Sequence, residues 1–291
     1  MLPARFDYLA PSSLEEALGI LAERGEDAKA LAGGQSLIPL MKLRLARPAV
    51  LVDLAGVPGL SGIEEDGTGL RIGAMTRNAA LVDSDVLRER YPAMAAAAPL
   101  ISDPIIRNLG TIGGSLAHAD PAGDWGSVML ALGAEVVARS ATGERTIPLD
   151  GLFTGAFETV LEPAELITEV RVPRPSGAAG GTYLKLERKV GDFATVGVAV
   201  HLSFSNGAVG RAGIALTAVG PRNLRATAAE EALTGATLDD DTITQAAELA
   251  AEAAEPRSDH RGTADYKRSV VRVFTERGLR KAAAAAQEEG R

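Results

Sequence analysis

Two short glycine-rich segments set the strongest limits on how this chain can fold. One reads Ala32-Gly33-Gly34-Gln35-Ser36, and the other reads Thr111-Ile112-Gly113-Gly114-Ser115. Glycine permits positive φ angles and removes the Cβ that would keep a ligand away from the backbone. Consecutive backbone N–H groups and a serine hydroxyl can then bind an anion such as a phosphate. Both segments therefore indicate sharp turns that can hold an anion.

One turn of this kind is a weak signal, because a glycine pair also serves as a tight connection between a strand and a helix. Two such turns, one in each of two predicted subdomains, suit the two phosphates of a pyrophosphate. Neither segment has the GxGxxG spacing of a Rossmann fingerprint or the Gly-Lys-Ser/Thr of a P-loop. The sequence therefore predicts a dinucleotide bound between two facing anion-binding turns.

The composition excludes several other kinds of site. No cysteine occurs among the 291 residues, which excludes thiol catalysis and a cysteine-ligated iron–sulfur cluster in this sequence. The three histidines lie far apart, so no zinc site is expected. A formal net charge of -8 disfavours nucleic acid as a partner. No apolar run approaches the roughly 20 residues that span a bilayer. Since no secretory signal is recognised either, we expect a cytoplasmic protein.

The hydrophobic periodicity predicts three domains. Residues 1–56 read as a small α/β unit, whose first helix follows a capping box formed by Ser12 and Glu15. Residues 57–175 contain helical segments from about Asn78 to Leu100 and several strands.

A third domain, residues 176–291, is expected beyond a linker. The linker is predicted from the proline and glycine content of residues 173–177, and glycines extend it to residue 181. Antiparallel strands follow, the first over Tyr183 to Lys189, and Asn206-Gly207 indicates a hairpin turn. Three helices are predicted to close the chain.

Longer stretches resemble a known family. LAGGQSLIPLMKLRLARPAVLVDL and IRNLGTIGGSLAHADPAGDW are similar to the two flavin-binding signatures of the medium subunit of carbon monoxide dehydrogenase and its relatives, including the flavin domain of xanthine dehydrogenase. YLKLERKVGDFATVGVAV resembles the family's third segment, and YKRSVVRVFTERGLRKA resembles its C-terminal helix. This resemblance implies an α+β fold, with a two-part FAD-binding module of the vanillyl-alcohol-oxidase type followed by an α+β C-terminal domain of antiparallel sheet plus helices.

The resemblance also implies which residues hold the FAD. Its pyrophosphate would lie between the two glycine-rich turns. Asp124 matches a position near the flavin's polar chain, with the N-cap of the following helix as the alternative role. Lys185 and the backbone of Leu166 and Ile167 match positions close to the isoalloxazine. For Lys185, a solvated strand residue is the alternative.

Phe193 departs from the family pattern. Relatives often carry a tyrosine at this position beside the flavin ring, and phenylalanine keeps the ring packing but lacks the hydroxyl. His118, beside the second turn, is interpreted as structural rather than as a flavin contact. Arg44 and Arg47 in the first signature are expected to anchor a loop or to face a partner subunit.

The resemblance further implies a subunit that is functionally incomplete. It would take electrons from iron–sulfur clusters of a small subunit and pass them from FAD to an external acceptor, while a molybdenum-containing large subunit oxidises the substrate. A dimer of heterotrimers is expected, with no catalytic residue and no metal site in this chain.

Two other functions are weighed against this one. A free-standing flavoprotein oxidase or dehydrogenase should carry its own substrate base, and no convincing Tyr/Arg/His cluster is found. A scaffold subunit that has lost its flavin is the third possibility, and the intact glycine-rich turns argue against it.

Overall fold

The first part of the molecule is a small parallel sheet. The computed structural model describes residues 2–289. Its first elements are β1 (Asp7–Leu9), α1 (Leu14–Arg24), a 3-10 turn (Gly25–Asp27), β2 (Ala28–Leu31), α2 (Leu37–Lys42) and β3 (Val50–Asp53). The three strands pair in the order β1-β3-β2, all parallel.

Helix α1 is capped one residue later than the sequence predicts. Ser13 is the N-cap, and its hydroxyl accepts the N–H of Glu16 at 3.1 Å. The Glu16 carboxylate in turn accepts the N–H of Ser12 at 2.8 Å. The predicted pair of Ser12 and Glu15 is therefore wrong by one residue, because Ser13 and Glu16 have the same three-residue spacing.

The second part is built on a five-stranded antiparallel sheet. Its elements are β4 (Ile63–Glu65), β5 (Gly69–Gly73), α3 (Asn78–Val82), α4 (Asp85–Arg90), α5 (Pro92–Ala97), a 3-10 turn (Ala98–Leu100), α6 (Pro104–Arg107), α7 (Ile112–His118), α8 (Asp124–Leu132), β6 (Glu135–Ser140), β7 (Gly143–Pro148), α9 (Leu149–Leu152), β8 (Phe153–Gly155), β9 (Glu158–Thr159) and β10 (Leu166–Pro173). The sheet order is β4-β5-β10-β6-β7, and β8 pairs only with β9. The predicted helical segments from Asn78 to Leu100 are separate helices, because Ser84 caps a new helix and Pro92 starts another.

The third part has an antiparallel sheet followed by helices, as the sequence predicts. Its elements are β11 (Ala178–Leu186), β12 (Val196–Ser205), β13 (Ala208–Thr217), β14 (Leu224–Arg225), α10 (Thr227–Leu233), α11 (Asp240–Glu252) and α12 (Ala264–Glu289). The strands pair in sequence order. Asn206 and Gly207 have φ angles of 52° and 82°, which confirms the predicted hairpin turn.

The predicted linker is shorter than expected. β11 begins at Ala178, so Gly180 and Gly181 are buried strand residues. A Cβ on Gly180 would overlap the carbonyl oxygen of Ala282 in α12, so glycine is needed here for close contact between a helix and a strand. β11 also ends at Leu186, before the predicted end at Lys189.

The C-terminal sheet is covered on both faces. Val196, Val198, Val200 and Leu202 of β12 share one core with α10, α11 and α12. Ala199 instead belongs to the core of the second part, which also contains Trp125 of α8. Burial on both faces explains the continuous apolar run of β12. Across residues 2–289, no helix is both long and apolar enough to cross a membrane.

Candidate functional site

The first glycine-rich turn presents free backbone donors. It connects β2 to α2, and Gly34 adopts a φ of 71°. The N–H groups of Gly33, Gly34, Gln35 and Ser36 donate to no atom in the described part of the chain. The Gln35 side chain donates to the carbonyl oxygen of Gly33 at 2.9 Å, which stiffens the turn. Consecutive free donors of this kind are suited to bind an anion.

The second glycine-rich turn differs from the first. Four of its five N–H groups donate within the protein at 2.9 to 3.2 Å: Ile112 to the carbonyl oxygen of Thr76, Gly113 to that of Ala74, Gly114 to the hydroxyl of Thr111, and Ser115 to the carbonyl oxygen of Thr111. The expected pair of equivalent anion-binding turns is therefore not what the structure has. Within the described part of the chain, the groups left to contact a ligand are the backbone N–H of Thr111 and the side-chain hydroxyls of Thr111 and Ser115.

Glycines bring the two turns into contact. A Cβ on Gly33 would overlap the carbonyl oxygen of Leu109, just before the second turn. A Cβ on Gly114 would lie 3.4 Å from the Cβ of Ala32 in the first turn. Since the obstacle at Gly33 is backbone, a side chain there requires one segment to move. These glycines therefore serve the packing of the turns as well as any ligand.

Asn78 connects the second turn to α8. Its backbone N–H donates to the carbonyl oxygen of Gly110 at 2.9 Å. Its side-chain oxygen accepts the indole N–H of Trp125 at 2.9 Å. Trp125 is fully buried, so this link fixes the start of α8 relative to the turn.

A buried ion pair joins α8 to the C-terminal sheet. The Nζ of Lys185 on β11 lies 2.9 Å from Oδ2 of Asp124, and the two side chains are 2% and 7% exposed. Nζ also donates to the carbonyl oxygen of Leu100 at 2.9 Å and lies 3.5 Å from Oε2 of Glu187. An ammonium has three donors, and hydrogen bonds to protein oxygens use two of them.

Tyr183 completes this cluster. Its hydroxyl donates to Oδ1 of Asp124 at 2.6 Å. Burial raises the pKa of Asp124, whereas the Lys185 ammonium and the Tyr183 hydroxyl lower it. Burial and the neighbouring Asp124 carboxylate raise the pKa of Tyr183 well above its ordinary value, so its hydroxyl stays protonated and donates.

Both alternative roles for Asp124 and Lys185 are wrong. Gly123, not Asp124, is the N-cap of α8. Lys185 is buried and paired instead of solvated. Two residues that the sequence places near different parts of one cofactor thus contact each other directly.

Leu166 and Ile167 open β10 beside the second turn. The carbonyl oxygen of the next residue, Thr168, accepts the N–H of Ala74, and the carbonyl oxygen of Ala74 accepts that of Gly113, both at 2.9 Å. The side chains of Leu166 and Ile167 are only 7% exposed. Their backbone lies opposite Arg139 and Ala138 of β6, so both residues are held within the sheet beside the turn.

Phe193 lies on the turn between β11 and β12 and is 56% exposed. The same turn contains Gly191, with a φ of 83°. A Cβ on Gly191 would lie 3.2 Å from the carbonyl carbon of Ser102 and 3.3 Å from the N of Asp103. The turn therefore packs against Ser102 and Asp103, in the loop just before α6. The second glycine-rich turn follows α6 in the chain.

Comparisons with known proteins identify the family to which this chain belongs. A family model described as "FAD binding domain in molybdopterin dehydrogenase" matches residues 4–175. A second, described as "CO dehydrogenase flavoprotein C-terminal domain", matches residues 181–282. The chain belongs to the carbon monoxide dehydrogenase flavoprotein family. The predicted FAD-binding module followed by an α+β C-terminal domain is confirmed.

Relatives of this flavoprotein match it along its length. The carbon monoxide dehydrogenase medium chain of Hydrogenophaga pseudoflava is 43% identical over 279 residues, covering 96% of this chain and 97% of the relative. The nicotine 6-hydroxylase medium subunit of Paenarthrobacter nicotinovorans is 40% identical, covering 97% and 99%. A solved structure of carbon monoxide dehydrogenase from Hydrogenophaga pseudoflava superposes with a TM-score of 0.95 at 46% identity, covering 98% of this chain and 99% of that one.

Other polar residues of the flavoprotein's signatures have protein partners. The His118 ring packs against Phe157 with centroids 5.1 Å apart, and burial lowers the pKa of His118 while Asp120 raises it. The Nε of Arg47 donates to the carbonyl oxygen of Arg44 at 3.1 Å, so Arg47 anchors its own loop.

Sequence reasoning missed Asn78, Trp125 and Tyr183. Tyr183 could have been found, because it lies two residues before Lys185 on one strand and so shares its face. Asn78 and Trp125 carry no such signal, since their link depends on how distant segments pack.

Proposed function

We propose that this flavoprotein binds FAD non-covalently and is the electron-transfer subunit of a molybdenum hydroxylase. The observation that carries the proposal is the first glycine-rich turn, whose free N–H groups lie where it packs against the segment before the second turn. The pyrophosphate of FAD needs donors of this kind. When bound, FAD supplies the redox chemistry that amino-acid side chains lack.

A neighbouring cleft supports a dinucleotide. It has a volume of about 350 Å³ and lies between the first two parts of the molecule, with Leu54, Val57 and Met75 among its lining residues. Arg77, also in the lining, pairs through its backbone with Thr111 of the second turn. An apolar cleft beside a phosphate-binding turn suits one ring system of an extended cofactor.

The proposed FAD-binding residues come from three proposed domains, 1–56, 57–175 and 176–291. They are Ala32, Gly33, Gly34, Gln35, Ser36, Thr111, Ile112, Gly113, Gly114, Ser115, Asp124, Leu166, Ile167, Lys185 and Phe193. The first turn would donate backbone N–H groups to the pyrophosphate, and the second would offer hydroxyls. Because the Lys185 side chain is buried and two of its three donors bind protein oxygens, that residue would act on the flavin through its charge.

Electrons would reach this subunit from outside. With no cysteine in the sequence, the iron–sulfur clusters belong to a small partner subunit, and a large partner subunit carries the molybdenum. One relative is named for carbon monoxide and another for nicotine, which supports substrate specificity outside the flavoprotein. The final acceptor is an external molecule. We further propose a dimer of heterotrimers located in the cytoplasm.

Reconstitution tests this function. The purified chain should hold one FAD, measured by flavin absorbance, and dithionite should bleach it. Carbon monoxide, aldehydes and purines should leave the isolated chain oxidised, whereas adding the two partner subunits should restore bleaching by the complex's own substrate. Turnover by the chain alone, free of molybdenum and iron, would instead identify a free-standing oxidase.

A further inference from the structure

The turn that carries Phe193, residues 187–193, has little apolar burial of its own. Val190 is 94% exposed and Phe193 is 56% exposed. Asp192 organises the turn: its N–H donates to the carbonyl oxygen of Lys189 at 3.1 Å, and its Oδ1 accepts the N–H of Phe193 at 2.8 Å. Segments with few buried contacts open locally unless something else holds them.

Arg261 holds this turn from the loop between α11 and α12. Its Nη1 donates to the carbonyl oxygen of Phe193 at 2.9 Å, and its Nη2 donates to Oδ1 of Asp192 at 3.1 Å. The Arg261 side chain is only 17% exposed. A planar guanidinium that binds two acceptors fixes their orientation as well as their distance. The Arg261 guanidinium, together with the N–H of Phe193 and the Arg188 side chain, lowers the pKa of Asp192 to about 2, so the pair stays charged near neutral pH.

Arg261 is itself fixed to the C-terminal helix. Its backbone N–H donates to Oδ1 of Asp259 at 2.8 Å. Oδ2 of Asp259 accepts from Nζ of Lys267 on α12 at 2.7 Å, and Nζ also donates to the carbonyl oxygen of Arg257 at 2.9 Å. The Lys267 side chain is 4% exposed. A chain of charged groups therefore runs from a buried lysine of α12 to the backbone of Phe193.

We propose that Arg261 is a positioning residue of the cofactor site, which holds the turn at residues 187–193 so that the ring of Phe193 stays against the flavin. This inference rests on the proposed function, because it takes Phe193 to lie beside the isoalloxazine. Arg261 never contacts the cofactor; it acts through the carboxylate of Asp192 and the carbonyl oxygen of Phe193. Without it, the turn opens, and both the ring packing and the shielding from water at the flavin are lost.

The first test measures the turn without any flavin. Trypsin cleaves after Arg188 and Lys189, which lie in the turn. In the FAD-free chain, Arg261→Met should speed this cleavage about tenfold, the change expected when charge-assisted hydrogen bonds holding a segment are lost. Arg261→Lys, which keeps the charge but only one point of contact, should be intermediate. Arg268→Met is the matched control, because Arg268 is an exposed residue of α12 whose ion pair with Asp265 spans 3.6 Å.

The second test measures the FAD-loaded chain by iodide quenching of flavin fluorescence and by the flavin midpoint potential. Phe193→Ala should increase quenching and shift the potential. Arg261→Met should change both in the same direction, and the double variant should match Phe193→Ala alone, because both substitutions remove the same ring contact. A purely structural loss of stability would not produce this non-additivity.

The outcomes distinguish a failure of the role inferred for Arg261 from a failure of the proposed function. Equal trypsin rates in wild type and Arg261→Met would overturn the holding role of Arg261. If Phe193→Ala changes the flavin measurements and Arg261→Met does not, the positioning role fails while the proposed function stands. If Phe193→Ala changes neither measurement, Phe193 does not lie beside the flavin, and the inference fails with that part of the proposed site.

Discussion

Acid should destabilise this flavoprotein through one buried histidine, His201. It lies on β12 opposite Gly181 on one neighbouring strand and Gly213 on the other. A Cβ on Gly213 would overlap the carbonyl oxygen of Ala131, so this face of the sheet packs on α8. His201 is 2% exposed, and its Nδ1 makes no hydrogen bond with the residues that the structure describes. Burial, and then the charge of Arg211, lowers the pKa of His201 to about 4.

The size of the effect follows from the difference in pKa between the folded and unfolded chains. An unfolded histidine has a pKa of about 6.5, so the unfolded chain binds a proton at a higher pH than the folded chain does. The stability that neutral His201 provides is therefore complete above pH 6.5 and is lost as the pH falls toward 4. The linkage relation gives a loss of about 2 kcal/mol at pH 5 and about 3 kcal/mol in total.

A His201→Leu variant isolates this contribution, because leucine fills similar space and does not titrate. Urea unfolding at pH 7.5 and pH 5.0, with the same FAD content, gives the stability lost on acidification for each protein. Wild type should lose about 2 kcal/mol more than the variant. The raised carboxyl pKa values of Asp124 and Glu230 act in the opposite direction but are common to both proteins. Equal losses of stability in wild type and variant would refute the reasoning, since His201 would then have the same pKa in the folded and unfolded chains.

Three further substitutions test the first glycine-rich turn, the buried ion pair and helix α1. Gly33→Ala should lower FAD occupancy, measured by flavin absorbance, and cost about 1–3 kcal/mol, whereas Gly143→Ala, where a Cβ has no atom within 4 Å, should do neither. Lys185→Met should lower the free energy of unfolding by about 3–5 kcal/mol in urea, because it leaves the buried carboxylate of Asp124 without its cation, and an unchanged unfolding midpoint would contradict that pairing. Gly19→Ala should raise stability by about 0.5–1 kcal/mol, since Gly19 lies within α1 with open space at its Cβ; a loss of stability would count against this.

Local patterns predicted much of the fold. Three helices close the chain as expected, and the Asn206-Gly207 hairpin occurs where its turn chemistry places it. Predictions failed where a distant contact decides the local structure. Gly180 looks like part of a linker in sequence, but it lies within a strand because the backbone of Ala282, about a hundred residues later, packs directly on it.

The candidate site shows the same limit. Two glycine pairs with a nearby serine look equivalent in sequence, yet within residues 2–289 the first turn keeps four consecutive N–H groups without an acceptor and the second does not. The second is bonded to Ala74 and Thr76, residues that no spacing rule connects to it. Motif chemistry therefore located the turns but could not tell which donors are available, because that depends on tertiary hydrogen bonds.

The contact between Asp124 and Lys185 would couple the proposed cofactor site to the junction between the FAD-binding module and the C-terminal sheet. Asp124 begins α8 of the FAD-binding module, and Lys185 lies on the C-terminal sheet, so the proposed flavin neighbourhood exists only while the two domains stay together. A ligand that binds where two domains meet stabilises their contact by the same free energy by which the contact strengthens its binding. FAD should therefore raise the melting temperature of wild type more than that of Lys185→Met, and Lys185→Met should weaken FAD binding even though the Lys185 side chain is buried. Equal stabilisation of the two proteins by FAD would show that the junction and the site are independent.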